Sequence, residues 1–125
     1  MLINFDDNRP IFIQIAEMLQ DSILSGAYPE ESQIPSITEF AVSCKINPAT
    51  ALKGINILVD EGLIYKKRGL GMFVSQGAQE KLRAKRKESF YLDYIVPLLQ
   101  EAARLGLDKQ DLQSMLERGY TDYGN

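Results

Sequence analysis

Two helix-start signals lie close together in this chain, and they restrict what can fold between them. The first is the sequence Ser-Ile-Thr-Glu that begins at Ser36, a capping-box pattern in which Ser36 and Glu39 satisfy each other's free backbone N–H groups. The second is Asn47 followed by Pro48, because Asn47 can cap a helix and Pro48 lacks only a donor that has no partner there. The sequence therefore predicts a short helix, a tight turn over residues 44–46 and a new helix.

A longer helix is predicted before this pair and a β-hairpin after it. Apolar residues recur at three- and four-residue spacing from Phe12 to Ile23, which indicates an amphipathic helix that ends near Gly26, after a short strand-like N-terminal piece. Residues 27–34 are predicted to be a loop. Two β-prone runs, residues 63–66 and 72–75, flank a glycine-containing segment whose glycines can supply positive φ angles.

The helix that begins at Asn47 is predicted to run to Gly62 and to have two usable faces. The face predicted to pack in the core consists of Ala51, Leu52, Ile55, Leu58 and Val59. The face predicted to point outward carries Ala49, Thr50, Lys53 and Ile57. Gly54 costs roughly 1 kcal/mol relative to alanine inside a helix, which indicates either a close approach or simple tolerance.

The composition changes at Ala78 to helix formers and charged residues. We predict a long helix with a kink near Pro97 and then a final helix capped by Asp108 and Asp111, with fraying over residues 120–125. The predicted fold class is mainly α with a small β-hairpin. Residues 1–77 are expected to form a winged helix-turn-helix domain, and residues 78–125 a two-helix dimerisation tail.

The residue inventory excludes several kinds of site. The chain has no histidine and a single cysteine, so a zinc site, a Cys-His pair and a Ser-His catalytic set are not expected. Adjacent acidic residues, such as Asp60 and Glu61, are interpreted as solvated, so we predict no enzyme activity, no metal and no cofactor. The chain starts without a signal-peptide pattern and has no long apolar run, which indicates a cytoplasmic protein without a membrane partner.

Charge is distributed unevenly along the chain. The net charge of -3 and the pI near 5.0 argue weakly against a polyanionic partner. Residues 66–87, however, hold eight basic residues and one acidic residue. Lys66, Lys67 and Arg68 lie on the predicted hairpin and are interpreted as contacts to DNA. For residues 81–87, a solvated helix face and a linker near phosphates remain alternatives.

Double-stranded DNA is the partner that this arrangement predicts, because the major groove, about 12 Å wide, admits one helix that leads with its first turn. The Ala49 methyl group can touch a thymine methyl group, Thr50 can bond to a base edge or a phosphate, and Lys53 can reach a guanine edge or a phosphate. Free N–H groups at the helix start would favour phosphate. The candidate DNA-binding residues are Ser36, Thr38, Asn47, Pro48, Ala49, Thr50, Lys53, Lys67, Arg68, Gly69 and Gly71.

Residues 10–75 resemble the DNA-binding domain of the GntR family. The segments that carry the resemblance include Ile34-Pro35-Ser36-Ile37, Ile46-Asn47-Pro48-Ala49-Thr50-Ala51, Glu61-Gly62-Leu63-Ile64 and Gly69-Leu70-Gly71-Met72-Phe73-Val74. The Asn-Pro-x-Thr turn and the short helical tail are similar to the YtrA subfamily. The resemblance implies a dimeric repressor on a palindromic operator, often near genes for an ABC transporter. One position departs from the family, since Thr38 stands where the family usually has a DNA-contacting arginine.

The tail is expected to form a homodimer, with an interface made by Phe90, Tyr91, Tyr94, Ile95, Leu98 and Leu99. A pocket for a small-molecule effector, so far unidentified, is the alternative for its aromatic residues. Cys44 is interpreted as buried packing, with oxidant sensing as the alternative. A second function remains open for the first domain: the acidic pI, Thr38 and an exposed Ile57 fit a winged helix that binds a protein instead of DNA.

Overall fold

The computed structural model describes residues 3–5 and 7–124, and the chain divides into two compact units, one that ends at Lys85 and one that begins at Arg86. The sequence predicts a domain boundary between residues 77 and 78. The compact unit extends further because Ala78 and Leu82 are buried in the core of the first unit. The extent of the functional domains stays a prediction.

The first unit has the predicted order of three helices and a hairpin. Its elements are α1 (Ile11–Ser25), α2 (Ile37–Cys44), α3 (Pro48–Asp60), β1 (Ile64–Lys67), β2 (Gly71–Val74) and the beginning of α4 (Ala78–Phe90). The two strands are antiparallel, with Ile64 opposite Val74 and Lys67 opposite Gly71. The winged helix-turn-helix prediction is therefore confirmed.

The segment predicted as a loop before α2 is partly paired with the hairpin. Gln33 forms an isolated antiparallel bridge with Phe73 on β2. Around it, the Ile34 N–H donates to the Met72 carbonyl at 3.0 Å, and the Val74 N–H donates to the Ser32 carbonyl at 2.9 Å. This short segment therefore borders β2 on the side away from β1 and connects the hairpin to the start of α2.

The predicted caps fix where α2 and α3 begin. The Glu39 N–H donates to Ser36 Oγ at 3.1 Å and the Ser36 N–H donates to Glu39 Oε1 at 3.3 Å, which confirms the capping box. At the next helix, the Ala49 N–H donates to Asn47 Oδ1 at 2.8 Å. Between the two helices Lys45 has a left-handed backbone, with φ 57°, which closes the turn in a single residue after α2.

The core of the first unit is built where α1 crosses α3. Ile15 and Leu19 from α1 and Ile55 and Leu58 from α3 are fully buried. Gly54 permits the crossing, because a Cβ atom at this position would lie 2.8 Å from both the Phe12 carbonyl oxygen and Ile15 Cγ2. Of the two interpretations of Gly54, the close approach is the one confirmed.

The segment before α1 is not the predicted strand. Residues 3 and 4 are irregular, Phe5 lies in a turn and residues 7–9 form a bend, while Met1, Leu2 and Asp6 lie outside the described residues. The buried Gln14 side chain holds the segment, since it accepts from the Asn4 N–H and donates to the Asn4 carbonyl, each at 3.0 Å. A buried amide that pairs with backbone groups replaces the strand pairing that the sequence suggested.

The second unit is helical. After α4 the chain makes a π-helical turn over Tyr91–Ile95, then α5 (Val96–Leu105) and α6 (Lys109–Tyr123). The π turn lies directly before Pro97, whose ring nitrogen cannot donate to a carbonyl one turn earlier. The capping box of Asp108 and Asp111 is confirmed. Because α6 continues to Tyr123, the predicted fraying is wrong for residues 120–123, whereas Gly124 lies beyond the helix with an extended backbone. Asn125 lies outside the described residues. Within the described parts of the chain, no helix combines the length and apolar character needed to cross a membrane.

Candidate nucleic-acid interface

The first turn of α3 is exposed at the surface of the first unit. Asn47, Pro48 and Ala49 are all exposed, and Thr50 is half-buried. The backbone donors of this turn are already occupied, since Asn47 accepts from the Ala49 N–H through its side chain and from the Thr50 N–H through its carbonyl at 3.0 Å. The Ala49 and Thr50 N–H groups are therefore bonded within the cap and are not free for phosphate as expected, which leaves the side chains of this turn available for contacts.

The outward face of α3 is rotated by roughly 60° about the helix axis from the predicted one. Leu52, predicted to be in the core, is 38% exposed, whereas Ile57, predicted to point outward, is half-buried and packs against the core. Val59 was also predicted to be in the core, and it is half-buried. At about 100° per residue, the exposed residues center on Ala49 and Asn56. The residues that share this face are Ala49, Leu52, Lys53 and Asn56.

Lys53 is exposed, and its ammonium group lies over an aromatic ring. Its Nζ atom lies 4.1 Å from the centroid of the Phe12 ring on α1, a cation–π contact. This contact draws the charge toward the α1 side of the outward face. Lys53 is thus held at one edge of the face, while Ala49, Leu52 and Asn56 occupy its middle.

The opposite edge of the α3 face meets α2. The two helix starts border a shallow depression lined by Thr38, Ala41, Val42, Lys45, Ile46, Asn47 and Pro48. Thr38 and Val42 lie one turn apart on α2, and both are exposed. Ser36 is exposed as well, and its hydroxyl is used in the capping box. The structure therefore brings the candidate residues of α2 next to the first turn of α3.

The tip of the hairpin is braced from the segment before α2. Gln33 Nε2 donates to the Leu70 carbonyl at 2.8 Å. Gly69 and Gly71 have the predicted positive φ angles, 80° and 126°. A Cβ atom at Gly71 would lie 2.5 Å from Gln33 Nε2, so this glycine also makes room for the brace. Sequence reasoning missed Gln33, because only the tertiary fold brings it to a turn more than thirty residues away.

The cations of the hairpin lie on both of its faces, since neighbouring strand residues point in opposite directions. Lys67 Nζ lies 4.7 Å from the centroid of the Phe73 ring and 5.9 Å from that of Tyr65, and Lys66, Lys67 and Arg68 are all exposed. The Tyr65 hydroxyl donates to Glu31 Oε2 at 2.7 Å, and this hydrogen bond raises the pKa of Tyr65 above its ordinary value. The Tyr65 and Phe73 rings, together with the Tyr65–Glu31 hydrogen bond, therefore position the Lys67 side chain.

Positive charge on this surface is concentrated on the hairpin. Residues 64–74 contain three basic residues and no acidic residue, whereas residues 36–63 contain two basic and three acidic residues. In the basic run over residues 81–87, two residues form salt bridges within the first unit, because Lys85 pairs with Glu61 and Arg83 pairs with Glu80. These pairs favour the solvated-face interpretation for residues 81–85. The acidic pI therefore does not describe the part of the surface that α3 and the hairpin form.

In the second unit, the candidate dimerisation residues form an exposed aromatic and aliphatic set. Five of them are exposed, namely Phe90, Tyr91, Tyr94, Leu98 and Leu99, and Ile95 is half-buried. The Phe90 and Tyr94 rings lie 5.3 Å apart between centroids. A further apolar groove lies between α5 and α6, lined by residues that include Ala102, Leu105, Leu112 and Met115. This groove was not among the surfaces predicted from the sequence.

Cys44 closes α2 and is buried, as the packing interpretation predicts. Burial raises the pKa of its thiol. A raised thiol pKa reduces the thiolate fraction, and the thiolate is the reactive form. The structure therefore favours packing over oxidant sensing for this residue.

A capped helix that is exposed beside a short helix and a braced, cationic hairpin defines the class of winged helix-turn-helix proteins that bind DNA. Within this class, residues 13–74 match the family model described as "Bacterial regulatory proteins, gntR family". A putative transcriptional regulator of the GntR family from Bacteroides thetaiotaomicron has a solved structure that is 33% identical, with a TM-score of 0.71, over 90% of this chain and 97% of that one. The chain belongs to the GntR family of DNA-binding transcriptional regulators.

Two relatives from Bacillus subtilis differ in how much of them this chain spans. It is 36% identical to the transcriptional repressor NagR over 81 residues, but these span 33% of NagR. It is 27% identical to the transcriptional repressor YtrA over 110 residues, which are 88% of this chain and 84% of YtrA. The predicted likeness to the YtrA subfamily is confirmed. The DNA-binding domain of AraR, solved in complex with operator ORX1, is 30% identical with a TM-score of 0.50, over 51% of this chain.

Proposed function

We propose that this protein is a sequence-specific repressor that binds a palindromic operator as a homodimer. The outward face of α3 would enter the major groove, and the hairpin would place Lys67 and Arg68 along the neighbouring backbone. Its place of action would be the cytoplasm, where the chromosome lies. The genes of a transporter operon are the proposed target, on the resemblance to the YtrA subfamily.

The observation that carries this proposal is the combination of an exposed α3 start with a rigid cationic hairpin. A helix of α3's dimensions fits the major groove, and its first turn is the part that meets base edges. Gln33 and the aromatic pair under Lys67 hold the hairpin in place. Rigid supports of this kind reduce the ordering cost of binding.

Homodimer formation is supported by the composition of the second unit. Large exposed aromatic and aliphatic side chains on one short tail have little core of their own to pack against. A symmetric dimer buries such a surface on both copies at once. Two copies would place two α3 helices on half-sites about one helical turn, roughly 10 base pairs, apart or a multiple of it.

Fluorescence anisotropy with labelled duplexes tests DNA binding. The affinity of the full chain should fall steeply with salt, because each neutralised phosphate releases counterions. Replacing Lys53 and Arg68 together by alanine should weaken binding. It should also reduce the slope of log affinity against log salt concentration by about one for each lost phosphate contact. Replacing Arg104 and Lys109 removes the same charge from the second unit and is the matched control. Equal affinities for the two double variants would contradict the docking proposal.

Light scattering tests the homodimer. Leu98→Glu should yield a monomer at micromolar concentration, since a buried carboxylate without a partner opposes association. Gln100→Glu, an exposed residue of the same helix, adds the same charge and should leave the dimer intact. A wild-type monomer, or two variants that behave alike, would contradict the proposed interface.

The protein-interaction alternative loses one of its supports, because Ile57 packs against the core. Exposed Val42 and Leu52 are the observation that now favours it. It predicts no salt-sensitive duplex affinity, and a protein partner that competes through α3. The anisotropy series described above separates it from DNA binding.

A further inference from the structure

We propose that α3 selects A·T base pairs through thymine methyl groups and one asparagine amide. This inference rests on the proposed DNA-binding function and specifies which bases the helix recognises. It concerns an apolar strip on the surface of the first unit, which we define by Val42, Pro48, Ala49 and Leu52. Asn56 borders this strip on α3.

The strip is apolar at the center of the outward face. Ala49 and Leu52 are exposed and lie one turn apart on α3, and Asn56 follows Leu52 by another turn. The nearest cation on this helix, Lys53, is held toward α1 by the Phe12 ring at 4.1 Å. The middle of the face therefore presents a methyl group, an isobutyl group and a carboxamide.

Val42 extends the strip onto α2. It is 74% exposed, although an aliphatic side chain of its size gains from burial. It lines the same depression as Pro48, and Pro48 and Leu52 lie one turn apart on α3. The apolar surface is therefore continuous from α2 across the first two turns of α3.

The chemistry of the major groove connects this strip to one kind of base pair. The C5-methyl group of thymine is the apolar group that bases present there, and alanine or similar apolar side chains contact it. Asparagine makes a bidentate pair with N6 and N7 of adenine, whereas guanine is read by arginine or lysine. Thymine and adenine are the two halves of one base pair, so the strip and Asn56 favour the same sequence.

The position of the strip favours DNA as its occupant over a protein. It is continuous with the first turn of α3, the part of this fold that meets base edges, and the hairpin with three exposed cations belongs to the same unit. The hairpin, residues 64–74, carries three basic residues and no acidic residue. Such an excess complements a phosphate backbone on either side of the groove.

Deoxyuridine lacks the thymine methyl group and leaves every hydrogen-bonding group of the base in place, so it isolates the contact. The full chain would first select its best duplex from a random library. Single thymines of that duplex would then be replaced by uracil, and affinities compared. We expect a loss of about fourfold at each contacted thymine, the effect of one methyl-sized apolar group. Uracil at thymines in the flanks is the matched control and should change nothing.

Protein variants assign the methyl contacts to residues. With Leu52→Ala or Val42→Ala, the ratio of thymine to uracil affinity should fall toward one at the position that each side chain contacts, while the other positions keep their ratio. In the Asn56→Ala variant, the preference for A·T over other base pairs at one position should fall roughly tenfold or more. These side chains are exposed, so circular dichroism should show folded variants.

The outcomes separate this inference from the function on which it rests. A selected duplex that binds equally well with uracil throughout would overturn the methyl recognition while sequence-specific binding stands. A selected duplex rich in G·C at the positions read by α3 would overturn it as well. If selection enriches no duplex at all, the proposed function itself fails, and the inference fails with it.

Discussion

Replacing Gly54 by alanine tests the packing on which the whole DNA-binding unit depends. Two effects of opposite sign compete at this position. Alanine is the better helix former by roughly 1 kcal/mol, which by itself would stabilise α3. Its Cβ atom, however, would lie 2.8 Å from the Phe12 carbonyl oxygen, 2.8 Å from Ile15 Cγ2 and 2.9 Å from Ile15 Cβ.

The contacts decide which effect is larger. Ordinary contacts of a Cβ atom begin near 3.4 Å, so α1 and α3 would have to separate by several tenths of an ångström. None of the three atoms can move alone, because one belongs to the backbone and two belong to a β-branched side chain that is fully buried. Overpacking of this kind costs about 1–3 kcal/mol, and a rigid site is at the upper end. We therefore expect a net loss of about 2 kcal/mol in the free energy of unfolding.

Urea denaturation followed by circular dichroism measures this loss. With a typical urea dependence of about 2 kcal/mol per molar, the midpoint should fall by about 1 M at an unchanged slope. Gly119→Ala is the matched control, since Gly119 lies inside α6 and its Cβ atom would meet nothing within 4 Å, so this variant should gain up to about 1 kcal/mol. Both variants should be measured at one protein concentration. A Gly54→Ala protein as stable as the wild type would refute the reasoning.

Three further predictions concern the cap, the hairpin and the buried thiol. Asn47→Ala should lower the free energy of unfolding by about 1 kcal/mol in urea denaturation, because the Ala49 N–H loses its acceptor, and an unchanged midpoint would contradict the capping role. Gln33→Ala removes the hydrogen bond to the Leu70 carbonyl and frees the hairpin tip. It should therefore weaken duplex affinity in anisotropy with only a small change in melting temperature. An affinity equal to that of the wild type would show that this hydrogen bond is not needed for binding. Burial raises the pKa of Cys44 above its ordinary value of 9.0, so the stability contributed by the protonated thiol is complete below that pH and is lost as pH rises through the folded value. The urea midpoint of the wild type should therefore drop more between pH 8 and pH 10 than that of Cys44→Ala, and parallel curves would argue against the shift.

The local order of this fold could be predicted because its signals are short in sequence. Caps such as Ser36 with Glu39 and Asn47 with Pro48 act over three or four residues, and hydrogen bonds confirm them. The hairpin glycines also act locally, since a positive φ angle is a property of one residue. The same holds for the family resemblance, whose motifs follow these local signals.

The rotation of α3 about its axis could not be predicted with the same accuracy. The apolar pattern of α3 is broad, so Leu52 and Ile57 each fitted either face. Contact with α1 at Gly54 fixes the rotation, because only the glycine side of α3 lets the two backbones approach so closely. A buried arc centered on the Gly54 side of α3 excludes Leu52 and leaves Asn56 on the outward face.

The sequence by itself determined where helices begin, where the hairpin turns and to which family the chain belongs, since each of these depends on neighbouring residues. The tertiary structure decided which side chains face outward and which groups hold them. Gln33 reaches the hairpin tip, Phe12 holds Lys53, and Glu31 accepts from Tyr65 only after distant segments have packed together. The physical reason is that burial and long-range hydrogen bonds depend on the position of the partner, which local sequence does not encode.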